Sequence, residues 1–409
     1  MNSMNDMSGI NDMSGINDMS GINGMGGING MGGMSGSGGA DDVLDGDAVT
    51  SRYDGEVLER GGRPGDAWEG VDAAALAQAV RAQAGRPVPG IADMASYLTA
   101  QVSDASHREV VGPLLDGRGP GGVVVRRGTV IAAWGDPTRA EMAFSATKSV
   151  LSLVGGVAFD DGKLRLDEPV AESVDLPQFA GPHGRAITWR HLLDQTSQWE
   201  GELWTKPTWA DAQSTREGTE SAGGPPGEGW AYNDVRVNLT ALALTALSGR
   251  ALPEVLRERV MTAIGAVGDW SWHGYRNSVV DLDGARVPVV SGGAHWGGGL
   301  WISALDLARI GQLCLRGGEW DGQRVLSRRW IEELWTPCGV KPNYGLSWWL
   351  NDDRTVWPRA PRTGRCARGN GGNHLLWVDP ARDLVIASRW GAEVEDLLVE
   401  VSKAVAPLA

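Results

Sequence analysis

The stretch FSATKSVLSLVGGVAF, residues 144–159, decides how the rest of the sequence is interpreted. Apolar residues cover nearly every face of a helix with this sequence, and such a helix is buried in a protein core. Ser145 and Lys148 stand three residues apart at its start and share one face. A lysine on a buried face is unfavourable unless its ammonium is paired or gives up its proton. The pattern predicts a lysine base that activates a serine nucleophile; the alternative is a helix-capping serine beside a surface lysine.

Sequence typical of strands flanks a long helical segment. The run GGVVVRRGTVIAAWG, residues 121–135, predicts two antiparallel strands joined at Arg127-Gly128. Further strands are predicted at 344–350, 373–378 and 384–389. Helices are predicted at 71–84, 91–102, 144–159, 189–194, 235–247, 253–264, 301–316, 328–335 and 394–404. We therefore predict an α+β fold, an antiparallel sheet flanked by helices and built from both ends of the folded region, with an inserted, mostly helical domain.

The chain begins with a six-residue repeat. The unit NDMSGI occurs three times between residues 5 and 22 and then decays into glycine-rich sequence. Low-complexity sequence of this kind predicts a disordered tail over residues 1–40, with a self-association segment as the alternative. The expected organisation beyond it is a linker over 41–65, the first part of the α/β domain with the nucleophile helix over 66–160, an inserted helical region with a tyrosine motif over 161–295, and the remaining helices, the C-terminal strands and the last helix over 296–409.

Composition excludes several classes of protein. A net charge of −14 argues against binding to nucleic acid and to anionic membrane surfaces. The sequence has no apolar run of about 18 residues, so no transmembrane helix is expected. No lysine or arginine precedes Arg52 and no apolar secretion signal follows the start, which favours a cytoplasmic location. The cysteines Cys314, Cys338 and Cys366 form no C-x-x-C pair, so neither a disulfide framework nor a structural zinc site is expected.

Two further motifs carry chemistry. Tyr232 begins YND, residues 232–234, which follows a glycine-rich loop and precedes a predicted helix. Its phenol could reach the Ser145–Lys148 pair, or it could pack with its hydroxyl on a backbone carbonyl. The run RGNGGNH, residues 368–374, leads into a predicted strand. Its glycines allow the backbone to approach a ligand closely, or they form a simple turn.

In this order the three motifs resemble the serine β-lactamase and penicillin-binding-protein superfamily, most closely its class C-related esterase and amide-hydrolase branch. The resemblance covers about residues 121–390. Four other stretches are similar to signatures of that branch: DGKLRLDEPV at 161–170, ITWRHLLDQTS at 187–197, GGGLWISALDLAR at 297–309 and YGLSWW at 344–349.

The resemblance implies a serine hydrolase that forms an acyl-enzyme and requires neither a metal nor an organic cofactor. Ser145 would be the nucleophile and Lys148 would take its proton. Tyr232 would protonate the leaving group and activate the deacylating water. The backbone N–H groups of Ser145 and Asn373 would form the oxyanion hole. The expected partner is a small ester or amide substrate.

Two departures from the family pattern affect this expectation. Asp234 stands where the second motif has asparagine, and it could pair with Lys148 and weaken that lysine as a base, or bind a cationic group of the substrate. The segment Asn370-Gly371-Gly372, aligned with the third motif, lacks the cationic lysine that would hold a β-lactam carboxylate. This absence favours ester or amide hydrolysis over efficient β-lactamase activity.

Tryptophan is unusually abundant, with 19 residues against three phenylalanines. Trp199, Trp204 and Trp209 lie in a loop-like stretch and are predicted to form an apolar wall of the substrate site, with ordinary packing as the alternative. His374 adjoins the glycine-rich turn and is a further candidate for substrate contact. Arg368 could substitute for the missing lysine of the third motif.

Three functional interpretations follow. The leading one is hydrolysis of small esters or linear amides. The second is a D-Ala-D-Ala peptidase, a penicillin-binding protein or a weak β-lactamase. The third, favoured only by Asp234, is a binding protein that uses this fold without catalysis. Acyl transfer to an alcohol also fits, because water and alcohol compete for the same acyl-enzyme.

Overall fold

The computed structural model describes Leu58 and residues 64–102, 105–211, 224–266 and 268–408. The predicted tail and almost all of the predicted linker lie outside these residues. The α-helices of the described part are α1 (Pro64–Ala67), α2 (Ala73–Ala84), α3 (Met94–Gln101), α4 (Ala146–Asp160), α5 (Pro182–Arg185), α6 (Trp189–Leu193), α7 (Asp234–Ser248), α8 (Leu252–Leu256), α9 (Ala304–Leu315), α10 (Arg328–Leu334) and α11 (Val394–Ala404). Its strands are β1 (Gly121–Arg126), β2 (Thr129–Trp134), β3 (Glu141–Met142), β4 (Glu202–Leu203), β5 (Lys206–Pro207), β6 (Ser271–His273), β7 (Val279–Leu282), β8 (Ala285–Pro288), β9 (Gly299–Ile302), β10 (Glu319–Trp320), β11 (Gln323–Arg324), β12 (Tyr344–Gly345), β13 (Trp348–Leu350), β14 (Arg365–Gly369), β15 (His374–Asp379) and β16 (Leu384–Arg389).

The main sheet has seven antiparallel strands in the order β12-β13-β14-β15-β16-β1-β2. Strand β1 pairs with β16, with Val124 opposite Ile386, so the two ends of the folded region build one sheet, as predicted. The β1–β2 connection is the predicted turn. Arg127 and Gly128 both have positive φ, 47° and 76°, and two left-handed residues match the twist of a tight hairpin.

Helices cover both faces of this sheet. The side chains of β1 alternate: Val123 and Val125 belong to the apolar core that contains α4 and α9, whereas Val124 belongs to the core that contains α2 and α11. Alternation along a strand sends successive side chains to opposite faces, so both faces are buried. The predicted α+β architecture with helices flanking an antiparallel sheet is confirmed.

Helix α4 is buried along its first three turns, as its sequence predicts. It passes between the sheet and the helical region, where the indole of Trp330 on α10 packs against it. Trp330 Nε1 donates to the carbonyl of Ser152 at 3.1 Å. The close approach requires glycine, because a Cβ at Gly156 would collide with the indole ring.

Several boundaries differ from the sequence-based expectations. The predicted helix at 301–316 begins only at Ala304, after strand β9, where Ser303 caps it by accepting the Asp306 N–H at 3.0 Å. The predicted strand at 344–350 is two short strands, because Leu346 and Ser347 adopt positive φ and turn the chain back. Among the described residues, no single helix is long and apolar enough to cross a membrane, while α7 with the helical segment Leu252–Met261, bent by 73°, meets those criteria only as a pair.

Candidate active site

Ser145 lies at the N-terminal end of α4, in the N-cap position, and its side chain makes no capping hydrogen bond. Phe144 before it has a φ of 48°, a left-handed conformation that is rare for a bulky residue. Strand β9 holds the chain on both sides of the serine. Ala143 N–H donates to the Leu300 carbonyl at 2.7 Å, and Leu300 N–H donates to Thr147 Oγ1 at 3.1 Å. These contacts fix a strained turn that presents Ser145 at the end of a helix dipole.

Lys148 lies directly beneath the serine. Its Nζ donates to Ser145 Oγ at 2.9 Å and to Asp234 Oδ1 at 2.5 Å. The side chain of Lys148 is 1% exposed and that of Asp234 is 0% exposed. The interpretation of Lys148 as a surface lysine is therefore wrong, and the buried ammonium has the partner that burial requires.

Asp234 begins α7 and is enclosed by polar groups. Its own N–H donates to Asp211 Oδ2 at 2.5 Å, and its Oδ2 accepts the His295 N–H at 2.9 Å. Burial acts to raise the pKa of Asp234, but the charges of Lys148 and His295 and their hydrogen bonds outweigh burial and hold it below its ordinary value. Gly293 packs on the pair so closely that a Cβ there would collide with both charged groups. The prediction that Asp234 binds substrate is thus corrected, because its carboxylate is sealed from the cavity.

The ring of Tyr232 packs against Lys148 of the Lys148–Asp234 pair. The centre of its ring lies 4.4 Å from Lys148 Nζ, a distance at which a cation interacts with an aromatic face. The ring packs at 5.5 Å against Trp349. Gln195 holds the motif in place, since its Oε1 accepts the Asn233 N–H at 2.9 Å. The structure therefore brings the first two motifs together, as the order of the motifs predicts.

The third motif reaches the serine at the end of β14. Gly369 packs against the turn that carries Ser145: a Cβ at this position would lie 2.5 Å from the Ala143 carbonyl oxygen and 2.9 Å from Ser145 N. Such contacts are shorter than real Cβ atoms tolerate, so only glycine allows β14 to lie this close to α4.

A left-handed turn follows, with φ values of 51°, 66° and 105° at Asn370, Gly371 and Gly372. The N–H of Asn373 closes this turn by donating to the Asn370 carbonyl at 3.1 Å. The predicted role of the Asn373 N–H in an oxyanion hole is corrected on this ground, because that donor is already engaged. Gly372 is buried, with its Cα packed toward the ring of Trp357, and it does not line the cavity beside Ser145.

A cavity of about 370 Å³ opens beside Ser145. Predicted or considered residues that line it are Ser145, Tyr232, Arg368, Asn370, Gly371 and Asn373, and His295 lines it beside them. Leu98, Gln101 and Phe144 also line it and were not predicted from the sequence. The first two come from α3, which carries no motif, so no local signal could have indicated them. Arg368 has its guanidinium carbon 4.0 Å above the ring of Trp349.

The predicted tryptophan wall is not part of this cavity. Of the described residues that line the cavity, none is Trp199, Trp204 or Trp209. Trp199 is 8% exposed within the core, and Trp204 packs edge-on against Tyr275 at 6.2 Å. Trp209 is 64% exposed and contacts the His107 ring at 4.7 Å. Trp204 lies in the turn of the hairpin β4–β5, and Trp199 and Trp209 flank that hairpin.

His374 lies behind the site instead of in it. Its ring is fully buried between Phe144, at 4.9 Å, and Trp390, at 4.2 Å. Burial, together with the charge of Arg389, lowers the pKa of His374 well below its ordinary value. The predicted substrate contact is corrected to a packing role beneath the strained residue that precedes the nucleophile.

Comparison with known proteins agrees with this arrangement. The Beta-lactamase family model matches residues 107–388. The 6-aminohexanoate-dimer hydrolase of Paenarthrobacter ureafaciens is 24% identical over 309 residues, which span 66% of this chain and 73% of that protein. A penicillin-binding protein homologue from Caulobacter crescentus has the same fold, with a TM-score of 0.50 and 19% identity, over 78% of this chain and 98% of that one. The family match spans more than half of the sequence and includes all three motifs, and the chain is therefore a hydrolase that belongs to the Beta-lactamase family.

Proposed function

We propose that this protein hydrolyses small carboxylic esters or linear amides through an acyl-enzyme formed on Ser145. The contact of 2.9 Å between Ser145 Oγ and Lys148 Nζ carries this proposal. A hydroxyl bonded to a buried amine at the edge of a cavity is the arrangement of an activated nucleophile. Tyr232 lines the same cavity and supplies a second group able to transfer a proton.

Acylation begins from the neutral amine of Lys148: Ser145 Oγ attacks the substrate carbonyl carbon and Lys148 Nζ takes the hydroxyl proton. The carbonyl oxygen becomes an oxyanion that needs two hydrogen-bond donors. The Ser145 N–H at the start of α4 is one. The Asn370 N–H is the second, because Asn370 directly follows Gly369, which packs against Ser145 N, and it lines the cavity.

Collapse of this intermediate breaks the bond to the leaving group. Tyr232 donates its phenolic proton to the departing oxygen or nitrogen and then removes a proton from the water that attacks the acyl-enzyme. The carboxylic acid is released, and Lys148 returns the proton that it holds to Ser145 Oγ. Asp234 stabilises the ammonium that Lys148 becomes during each transfer, at a distance of 2.5 Å.

Two observations favour a linear amide that carries a carboxylate. The relative described above is named for hydrolysis of the 6-aminohexanoate dimer. In addition, Arg368 lines the cavity while its guanidinium is stacked on Trp349, so a fixed cation faces the substrate space. A planar guanidinium recognises carboxylates through paired hydrogen bonds.

Reaction with β-lactams is the second candidate. The fold shared with a penicillin-binding protein homologue favours it. With Gly369 as the glycine of the third motif, the lysine position two residues earlier is Ala367, so a β-lactam carboxylate would meet only the neighbouring Arg368, a differently shaped cation. We expect slow acylation by penicillins at most.

The test uses purified protein with p-nitrophenyl esters of short acids, the 6-aminohexanoate linear dimer and nitrocefin. Ser145→Ala should abolish turnover, and mass spectrometry of a slow ester should place the acyl group on Ser145. Ser149→Ala is the matched control, since this hydroxyl lies on the same helix and donates to the Ser347 carbonyl at 2.6 Å, away from the cavity. Turnover that survives Ser145→Ala would contradict the proposal, and labelling by fluorescent penicillin without ester or amide turnover would favour the second candidate.

A further inference from the structure

Helix α3 precedes the residues that the family model matches, yet it forms one side of the active-site cavity. The helix is firmly seated. Asp93 caps it by accepting the Ser96 N–H at 3.0 Å, and the Met94 N–H donates to Asp116 Oδ1 at 3.0 Å. Met94 and Leu98 are buried in one apolar cluster with Phe144. The inner face of α3 therefore packs against the strained residue that precedes the nucleophile.

The outer end of α3 holds the turn of the third motif. Tyr97 and Gln101 stand four residues apart and so share a helix face. Asn370 Nδ2 donates to the Tyr97 hydroxyl at 2.6 Å, and Gln101 Nε2 donates to Asn370 Oδ1 at 3.1 Å. Both ends of the Asn370 amide are thus bonded to α3. Tyr97 is itself held edge-on against Trp390 at 5.9 Å.

The conformation of Asn370 determines where its backbone N–H points. Its φ of 51° is left-handed, and the two residues that follow are left-handed glycines. A run of such residues has little conformational preference of its own, because glycine adopts many backbone conformations with similar energy. The bond from the Asn373 N–H to the Asn370 carbonyl closes the turn, and the two side-chain bonds to α3 add the anchor that holds Asn370 in one of these conformations.

We propose that Tyr97 and Gln101 are positioning residues that hold the Asn370 N–H in the oxyanion hole, so that α3 forms part of the catalytic apparatus. The inference rests on the proposed function, since it assumes an oxyanion beside Ser145. Neither side chain acts on the reacting atoms directly. Their effect passes through one backbone donor, and donors of this kind act mainly on the transition state.

The test compares Tyr97→Phe and Gln101→Leu with wild type on a p-nitrophenyl ester. We expect kcat to fall roughly ten-fold in each, a part of the about 100- to 1000-fold loss caused by deleting an oxyanion donor. We expect KM to stay within about two-fold, as for an interaction made only in the transition state. Thr99→Val is the control, because this hydroxyl of α3 donates to the Ala95 carbonyl at 2.7 Å and does not reach the turn. It should retain wild-type kcat.

A double-mutant cycle separates positioning from a general effect on folding. Asn370→Gly tolerates the positive φ and retains the backbone N–H but removes the anchored amide. In that background Tyr97→Phe should cause no further loss of kcat. Ser145-dependent hydrolysis with wild-type kcat in Tyr97→Phe, or an equal loss in both backgrounds, would overturn this inference alone. Hydrolysis that survives Ser145→Ala would instead overturn the proposed function on which it rests.

Discussion

Replacing Asp234 by asparagine tests the electrostatic centre of the site. The substitution keeps the shape of the side chain and the oxygen that accepts the His295 N–H, but it removes the charge that faces Lys148. At 2.5 Å, two unit charges attract by about 7 kcal/mol at an effective dielectric constant of roughly 20. Desolvation of the two ions offsets much of this, and breaking a buried pair costs about 3–5 kcal/mol. We expect Asp234→Asn to lose about 3 kcal/mol of unfolding free energy at neutral pH, since asparagine still accepts a hydrogen bond.

The loss of unfolding free energy in Asp234→Asn should become smaller in acid. The pKa of Asp234 lies below its ordinary value in the folded protein, so the ionised form is the one that folding stabilises. This contribution is fully present above the unfolded pKa of about 3.9 and disappears as the pH falls through the lower folded value. Urea denaturation of wild type and variant should therefore show a constant gap in stability between about pH 5 and 8 that closes in acid.

The same substitution should slow the chemical step. The Asp234 carboxylate faces the positive charge that Lys148 gains when it takes the Ser145 proton, so removing the carboxylate raises the free energy of that transfer. The variant should therefore lose at least about ten-fold in kcat on one ester at neutral pH, with KM within about two-fold. Asp306→Asn is the matched control, because Asp306 is a buried carboxylate whose Oδ1 pairs with Arg309 at 2.8 Å on α9. A wild-type kcat in Asp234→Asn would refute the assigned role of Asp234.

Three other substitutions test separate parts of the structure. Gly369→Ala should force β14 away from Ser145, lower kcat at least ten-fold by displacing the oxyanion donor, and cost about 1–3 kcal/mol in denaturation experiments. Trp209→Ala should leave kcat/KM on the same ester within about two-fold, because the ring lies outside the cavity lining; a larger loss would restore the predicted wall. Burial raises the pKa of Asp194 to about 6, although its Oδ1 accepts the Leu346 N–H at 2.7 Å, so ionisation of this group disfavours the fold progressively as the pH rises from its unfolded pKa of about 3.9 to about 6. Asp194→Asn should therefore gain stability relative to wild type as the pH rises from about 3.5 to 7, by up to roughly 3 kcal/mol in urea titrations, and a gap that narrows over that range would contradict the assignment.

The features that the sequence predicted correctly have local causes. The Arg127-Gly128 turn follows from two adjacent residues between β-branched runs. Helix α4 follows from an apolar run too long and too evenly apolar to be exposed. The union of both chain ends in one sheet was predictable because strand signals occur only at those ends.

The errors arise where long-range contacts decide the structure. Strand β14, residues Arg365–Gly369, is rich in arginine and carries no period-2 apolar pattern, so it was not predicted. Without it, the third motif was aligned with the turn Asn370–Gly372 and the oxyanion donor was placed at Asn373. In the structure the glycine that packs against Ser145 is Gly369, so the third motif lies at the end of β14 and not in the turn that follows. The tryptophan wall failed for a related reason, because residue type indicates that a ring packs but not which surface it packs against.

The glycine content illustrates the same limit, because composition gives the number of glycines but not which of them the site needs. Glycine accounts for 59 of the 409 residues, and no count distinguishes those that form flexible turns from those required by the site. At Gly293 a Cβ would collide with the Lys148–Asp234 pair, and at Gly369 it would press on Ser145 N. At both positions the main chain, with no side chain, packs directly against a buried charge or against Ser145. A buried ion pair needs dense, dry surroundings to remain paired, and an oxyanion donor needs main chain within hydrogen-bond reach of the reacting carbonyl. Glycine is the residue that meets both needs, so these two positions, and not the overall excess of glycine, are the ones that the proposed chemistry at Ser145 requires.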